Sequence, residues 1–248
     1  MSEQLLVVNN ASKHFMGLKA VDDVSLTVAK GEIVSIIGPN GAGKTTFFNL
    51  LTGQLAPTAG EVRLRGQQIN SLAPHQRARL GMGRTFQIVK PLIALSALEN
   101  VLIGAFMRHS RLTDARDKAM AVLQTVGMAH HARRRAGDLT LSERRRLEVA
   151  RALAMEPEIM LLDEVMAGLN QSEVGQSIEL LKSLHATGLT FLIIEHNLKV
   201  VRAFSERVVV LDRGRRIAEG TADQILNSPE VVKAYLGDGH KVEELGTL

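Results

Sequence analysis

Apolar residues along this chain fall into two periods. Residues 5–8, Leu-Leu-Val-Val, form a short apolar run, and Val24, Leu26 and Val28 alternate with Ser25 and Thr27 as on a half-buried strand. Residues 32–37, 159–164 and 190–196 are β-branched or aliphatic through most of their length, the pattern of strands buried on both faces of a parallel sheet. Residues 61–66 read as a strand closed by a turn, and 74–80 as a short helix. From about 95 to 137 helical spacing takes over, with Val101, Leu102, Met120, Leu123 and Val126 on apolar faces, so a helical subdomain is expected at 88–155, inserted into an α/β core at 1–87 and 156–238. Within it, Thr140 and Glu143 have the spacing of a capping box. The following helix is expected over 144–155, with Leu147, Ala150, Leu153 and Ala154 on one face and Pro157 marking its end. Residues 207–211 and 215–218 flank Asp212-Arg213-Gly214 as the arms of a hairpin. Ser228 and Pro229 open a last helix, and 239–248 are expected as a tail.

The glycines change the picture. Gly38-Pro39-Asn40-Gly41-Ala42-Gly43-Lys44-Thr45 has the form G-x-x-x-x-G-K-T, between an apolar strand and a run that continues as a helix. Glycines let successive backbone N–H groups curl around an anion, and a helix N-terminus adds its dipole. Lys44 supplies an ammonium for the β- and γ-phosphates, and the Thr45 hydroxyl suits Mg²⁺. The acids Asp163 and Glu164 end a strand, where an α/β sheet binds its ligands. Asp163 is placed to hold Mg²⁺ through water, and Glu164 to orient or deprotonate an attacking water. His196, at the end of another core strand, reads either as a structural histidine or as a donor to a γ-phosphate oxygen. Phe15, taken alone, reads as a core aromatic before it reads as a platform for adenine. His130, His131 and Arg133–Arg135 read as a solvated basic loop with no suitably spaced third metal ligand.

Composition excludes more than it assigns. The 248 residues are 45% hydrophobic, enough for one large or two modest domains. There is no cysteine, hence no disulfide. No run approaches the roughly 18 apolar residues of a membrane helix, and residues 1–4 do not begin a signal peptide. The net charge of +4 is ordinary for a solvated surface and does not call for nucleic acid.

In order and spacing, the motifs over residues 5–237 resemble the ATP-binding subunit of ABC transporters. Residues 38–46 are similar to that family's Walker A motif, Gln87 to its Q-loop glutamine, 159–163 to Walker B, Glu164 to the catalytic glutamate, 167–170 to the D-loop and His196 to the switch histidine. The resemblance implies a P-loop NTPase (RecA-like) α/β core with an antiparallel β subdomain and an inserted α-helical subdomain. ATP would be held by Phe15, Val21, Asn40, Gly41, Ala42, Gly43, Lys44, Thr45 and Thr46, with Thr140 and Ser142 contributing from a signature loop. Mg²⁺ would be held by Thr45, Gln87 and Asp163. Glu164, His196, Lys44 and Gln87 would carry the hydrolysis.

The signature itself departs from the family's L-S-G-G-Q. Without a gap it reads Leu139-Thr140-Leu141-Ser142-Glu143; a gapped alternative pairs Leu141-Ser142 with L-S, and either way both glycines are gone. Val165 stands where many relatives have proline. Residues 83–87, 98–102, 163–170, 195–201 and 217–221 are similar to the branched-chain amino acid importer ATPases, a subfamily that also serves urea, short amides and aromatic acids. The expected partners are a second ATP-binding subunit, the same or paralogous, two transmembrane permease subunits and, indirectly, a solute-binding protein. The expected place is the cytoplasmic face of the inner membrane. Rival readings are a lipopolysaccharide-type exporter ATPase, a soluble non-transport ABC protein and a P-loop small-molecule kinase.

Overall fold

The structure is a computed structural model that describes residues 3–86 and 91–236; Gln87 and the expected tail lie outside the described residues. The first segment runs β1 (Gln4–Phe15), β2 (Leu18–Ala29), β3 (Ile33–Ile37), α1 (Lys44–Leu51), β4 (Ala59–Leu64), β5 (Gln67–Gln68) and α2 (Pro74–Arg79). The middle segment runs β6 (Met82–Arg84), α3 (Ala97–Ala105), α4 (Leu112–Thr125), two short 3₁₀ turns at Ala129–His131 and Ala136–Asp138, α5 (Leu141–Leu153), β7 (Ile159–Asp163) and α6 (Gln171–His185). The last segment runs β8 (Thr190–Ile194), α7 (Leu198–Phe204), β9 (Arg207–Asp212), β10 (Arg215–Gly220), α8 (Ala222–Leu226) and α9 (Pro229–Leu236). By compactness the chain divides into two units: Met1–Arg77 with Gly188–Leu248, and Ala78–Thr187.

In the first unit β2-β1-β4-β5 form an antiparallel sheet, and β3 lies between β9 and β8, parallel to both. Every residue of β3 and β8 is buried, as their apolar sequences require of central parallel strands. The β1–β2 hairpin is longer than the apolar runs at 5–8 and 24–28 indicate. Register shifts break the alternation, and Asn10 and Asp23 take positive φ there, with Asn10 Nδ2 donating to Asp23 Oδ1 at 2.7 Å. Asn and Asp tolerate the left-handed region better than other side chains. The β9–β10 turn has positive φ at both Arg213 and Gly214, the two-residue turn whose twist suits a hairpin.

The second unit pairs β6 with β7 in parallel and gathers α3, α4 and α5 around a small-residue core that includes Ala97, Val101, Ala119, Leu123, Leu147 and Ala150. The expected solvated loop at 130–135 is exposed at His130, Arg133, Arg134 and Arg135, but it is packed as well. Ala132, Ala136 and Leu139 are buried in that core, and the two 3₁₀ turns bring His131 and Arg134 onto Glu143, at 2.8 and 3.6 Å. Alanines among charged residues conceal the burial, because a small side chain leaves little hydrophobic signal.

Candidate functional site

The loop after β3 is shaped by its glycines. Gly41 and Gly43 have φ of +82° and +97°, and a Cβ on Gly43 would overlap the carbonyl oxygen of Ala20 at the start of β2. Gly214 closes the loop from the β9–β10 turn, its N–H donating to Ala42 O at 3.0 Å. Lys44 is 8% exposed and turns back into the loop, donating from Nζ to Gly38 O at 2.6 Å and Pro39 O at 3.0 Å. α1 begins with Gly43 as its N-cap, so it has no side-chain cap and no acid in its first turn, whereas α3, α5, α6 and α8 each carry a capping box. The first N–H groups of α1 therefore have no side chain competing with an anion. At the other end of α1, the buried Arg77 donates to Leu50 O and Leu51 O at 2.7 Å, and also to Asn70 O and Leu72 O. Burial lowers its pKa to about 10, which still leaves it cationic at the negative end of the helix.

Other residues expected around the nucleotide belong to the same unit. Asn40, Gly41 and Thr45 are exposed, Thr46 is partly buried and Ala42 is buried. Phe15 ends β1 with 43% of its surface exposed and with the Lys13 ammonium 5.3 Å from its ring centre. That exposure removes the core reading of Phe15 and leaves an open aromatic face. Val21 is buried within the hairpin. His196 is exposed just beyond β8, next to Asn197, whose side chain caps α7.

In the second unit β7 ends in the buried Asp163, whose Oδ2 accepts from Arg84 Nη2 at 3.3 Å. Thr85 ties the same place down: its N–H donates to Leu161 O at 3.0 Å, and its Oγ1 accepts from Asp163 N at 3.3 Å. Glu164 follows with φ of +49°, a left-handed conformation uncommon for a residue with a side chain. Beside this lies Glu148 of α5, buried, its Oε1 accepting from Phe86 N at 2.7 Å. Burial pushes the Glu148 carboxyl up to about 7; the Phe86 N–H, Arg145 and Arg151 pull it down and Asp163 adds to the rise.

The signature-position residues open α5. Thr140 is its N-cap: Thr140 Oγ1 accepts from Glu143 N at 3.3 Å, and Glu143 Oε2 accepts from Thr140 N at 2.7 Å. The helix starts three residues earlier than the sequence reading, at Leu141, as its cap dictates. Leu141 is 47% exposed, and it lies against Gly168, where a Cβ would come 3.2 Å from Leu141 Cδ2. Ser142 is partly buried in the first turn.

Arg77, Arg84 and Glu148 have no assigned part in the sequence reading. Glu148 had a signal: it shares a helical face with Arg145, Val149 and Ala152, all buried, and an acid on a buried face needs a partner. Arg84 stands within the quoted 83–87 run, but nothing in one dimension links it to Asp163.

A glycine cradle at an uncapped helix start, an ammonium folded into it, and acids at the end of a parallel strand define an ATP-binding P-loop cassette. Residues 21–167 match the ABC transporter family, and residues 215–241 match the branched-chain amino acid ATP-binding cassette transporter segment. The chain is 42% identical to the high-affinity branched-chain amino acid transport ATP-binding protein LivG of Salmonella typhimurium, covering 96% of this chain and all of LivG. It is 41% identical to BraF of Pseudomonas aeruginosa, of the same description, at the same coverage. The lipopolysaccharide export system ATP-binding protein LptB of Haemophilus influenzae is 35% identical, over 96% of this chain and 99% of LptB. Among solved structures, a nucleotide-free ATP-binding cassette from an ABC transporter superposes with a TM-score of 0.87 at 32% identity, covering 95% of this chain and all of that one. An ADP-bound cassette gives 0.86 at 34% identity, covering 95% and 99%. The chain belongs to the ABC transporter family and is an ATPase of that family.

Proposed function

We propose that this chain is the ATP-hydrolysing subunit of an importer for branched-chain amino acids or a related small solute, such as urea, an amide or an aromatic acid. The observation that carries this reading is the full-length likeness to LivG and BraF, which extends into the C-terminal segment at 215–241. In this reading the chain pairs with a second ATP-binding subunit and with two permease subunits, receives solute indirectly from a binding protein, and sits on the cytoplasmic face of the membrane. No helix among the described residues is long and apolar enough to cross a membrane.

The residues divide the work. Lys44 and the N–H groups at the start of α1 hold the phosphates, exchanging the carbonyls of Gly38 and Pro39 for phosphate oxygens. Phe15 offers its exposed face to adenine, and the buried Val21 belongs to the same hairpin. Glu164 accepts a proton from water as the water oxygen attacks the γ-phosphorus; the bond to the β–γ bridging oxygen breaks, and ADP and phosphate leave. His196 donates to a γ-phosphate oxygen, and Gln87 orients the water. In this reading the exposed Thr45 hydroxyl, Gln87 and the Asp163 carboxylate would hold Mg²⁺, a hard cation that takes oxygen ligands; no group of three His, Asp or Glu side chains that could hold a metal occurs among the described residues. When bound, Mg²⁺ neutralises phosphate charge. Thr140 and Ser142 face the nucleotide of the second subunit.

Three measurements test this. Lys44→Ala is expected to lose most ATP affinity in calorimetry, and Glu164→Gln to bind ATP normally while turning it over at least about a hundredfold more slowly. In liposomes with both permease subunits, the ATPase rate is expected to rise when a loaded binding protein is added. Stimulation by a lipopolysaccharide-type lipid, and by no binding protein, would replace import with export, the activity named for LptB.

A further inference from the structure

A cavity of about 450 Å³ lies at the β9–β10 hairpin of the first unit, lined by Asp212, Arg213, Ile217, Glu230 and Ala234. Asp212 ends β9, Arg213 opens the turn, Ile217 lies on β10, and Glu230 and Ala234 stand four apart on α9. None of the five is among the nucleotide residues named above. The size is within the range of small-molecule pockets, roughly 300–1,000 Å³. Asp212, Ile217 and Ala234 are partly buried, and Arg213 and Glu230 are exposed. The charges do not neutralise one another. Among the described residues the side chains of Asp212, Arg213 and Glu230 form no hydrogen bond or ion pair, whereas the neighbouring Arg215 is held by Asp22 at 2.7 Å and Arg216 is held by Glu219. Arg213 also has φ of +45°, in the turn position that favours Asn, Asp or Gly. Hairpin geometry alone gives no reason for an arginine there.

Charges of both signs beside an apolar wall define the ligand. A simple anion placed here meets two acids, and a simple cation meets Arg213. A small molecule that carries both charges satisfies all three groups. Ile217 and Ala234 add apolar surface for a short aliphatic group. We propose that this cavity binds a free α-amino acid with a short aliphatic side chain. The Arg213 guanidinium takes the carboxylate through its fork of N–H donors, the Asp212 and Glu230 carboxylates take the ammonium, and the side chain lies against Ile217 and Ala234. The site goes beyond the function proposed above and does not depend on it, because the permeases take no part in the binding. It stands one residue from the nucleotide loop: Gly214 follows Arg213, and its N–H donates to Ala42 O at 3.0 Å. An occupant that holds Arg213 therefore bears on the turn that closes the phosphate loop.

The test titrates the full-length chain with L-leucine, read by calorimetry and by the NMR shifts of backbone amides. Leucine is expected to bind with a Kd below about 1 mM and to shift the amides of Arg213 and Gly214. Three probes each lack one part of the ligand: 4-methylpentanoate the ammonium, isopentylamine the carboxylate and glycine the side chain. Each is expected to bind at least about tenfold more weakly than leucine. Arg213→Asn suits the turn and removes the guanidinium, so it is expected to keep the parental melting temperature and to lose at least about tenfold in leucine affinity. Glu230→Gln, at an exposed position of α9, is expected to lose at least about threefold. The proposal is overturned by no leucine binding at about 10 mM, by 4-methylpentanoate binding as tightly as leucine, or by a parental Kd in both variants. Leucine binding that leaves the Arg213 and Gly214 amides unmoved lies elsewhere on the chain and overturns it as well.

Discussion

Gly43 leaves no room for a side chain: its φ is +97° and the Ala20 carbonyl oxygen occupies the place of a Cβ. Gly43→Ala is therefore expected to cost about 1–3 kcal/mol of stability and to weaken ATP binding, read by thermal melting and calorimetry. An unchanged melting temperature would mean that the loop moves aside freely. The glycine pattern was fully legible in the sequence, because the chemistry of a phosphate cradle dictates residue types at fixed spacing. Arg77 was not legible. Its four carbonyl partners lie 5 to 27 residues away, and nothing local marks a basic residue on a short helix as buried. Arg77→Met is expected to strip donors from the end of α1 and destabilise the fold by about 3 kcal/mol, visible as a drop in the urea midpoint. Glu164 lies between these cases: its role follows from its place after a strand, while its left-handed backbone appears only in the structure.

At the scale of elements, α5 joins two behaviours. Its capping box was legible because Thr140 and Glu143 stand three apart, but the pair's further ties to His131 and Arg134 depend on 3₁₀ turns that alanines hide. Leu141 and Ser142 stand where glycine would allow close backbone approach. Replacing both with glycine is expected to strengthen ATP-dependent association, with analytical ultracentrifugation as the measure; no gain would mean that the first turn already approaches closely. Glu148 gives α5 a pH dependence. Because burial raises its folded-state pKa to about 7, the folded protein binds a proton that the unfolded chain has already released, so stability falls as pH rises from the ordinary carboxyl range through about 7. The full effect is bounded at roughly 3 kcal/mol, with the pull of Arg145 and Arg151 already included. Glu148→Gln is expected to flatten the fall in melting temperature between pH 5 and pH 8. An equal fall in parent and variant would show that the carboxyl titrates normally.

At the scale of the whole molecule, the alternation of buried strands with helical stretches sufficed for the α/β class, and the order of motifs sufficed for the family. Neither reaches the cargo, because a subunit that binds nucleotide has no reason to encode the solute its partners carry. That information enters through likeness to LivG and BraF. The bonds of Lys44 to Gly38 and Pro39 have a consequence at this scale. A cradle that already holds its own ammonium by two carbonyls does not have to be ordered by the nucleotide, and ATP gains only the difference between those bonds and its own. A motor needs that moderation: a grip formed by exchange is reversed by exchange, so spent ADP meets a substitute ready to take its place, and the cycle restarts without the loop ever having to refold.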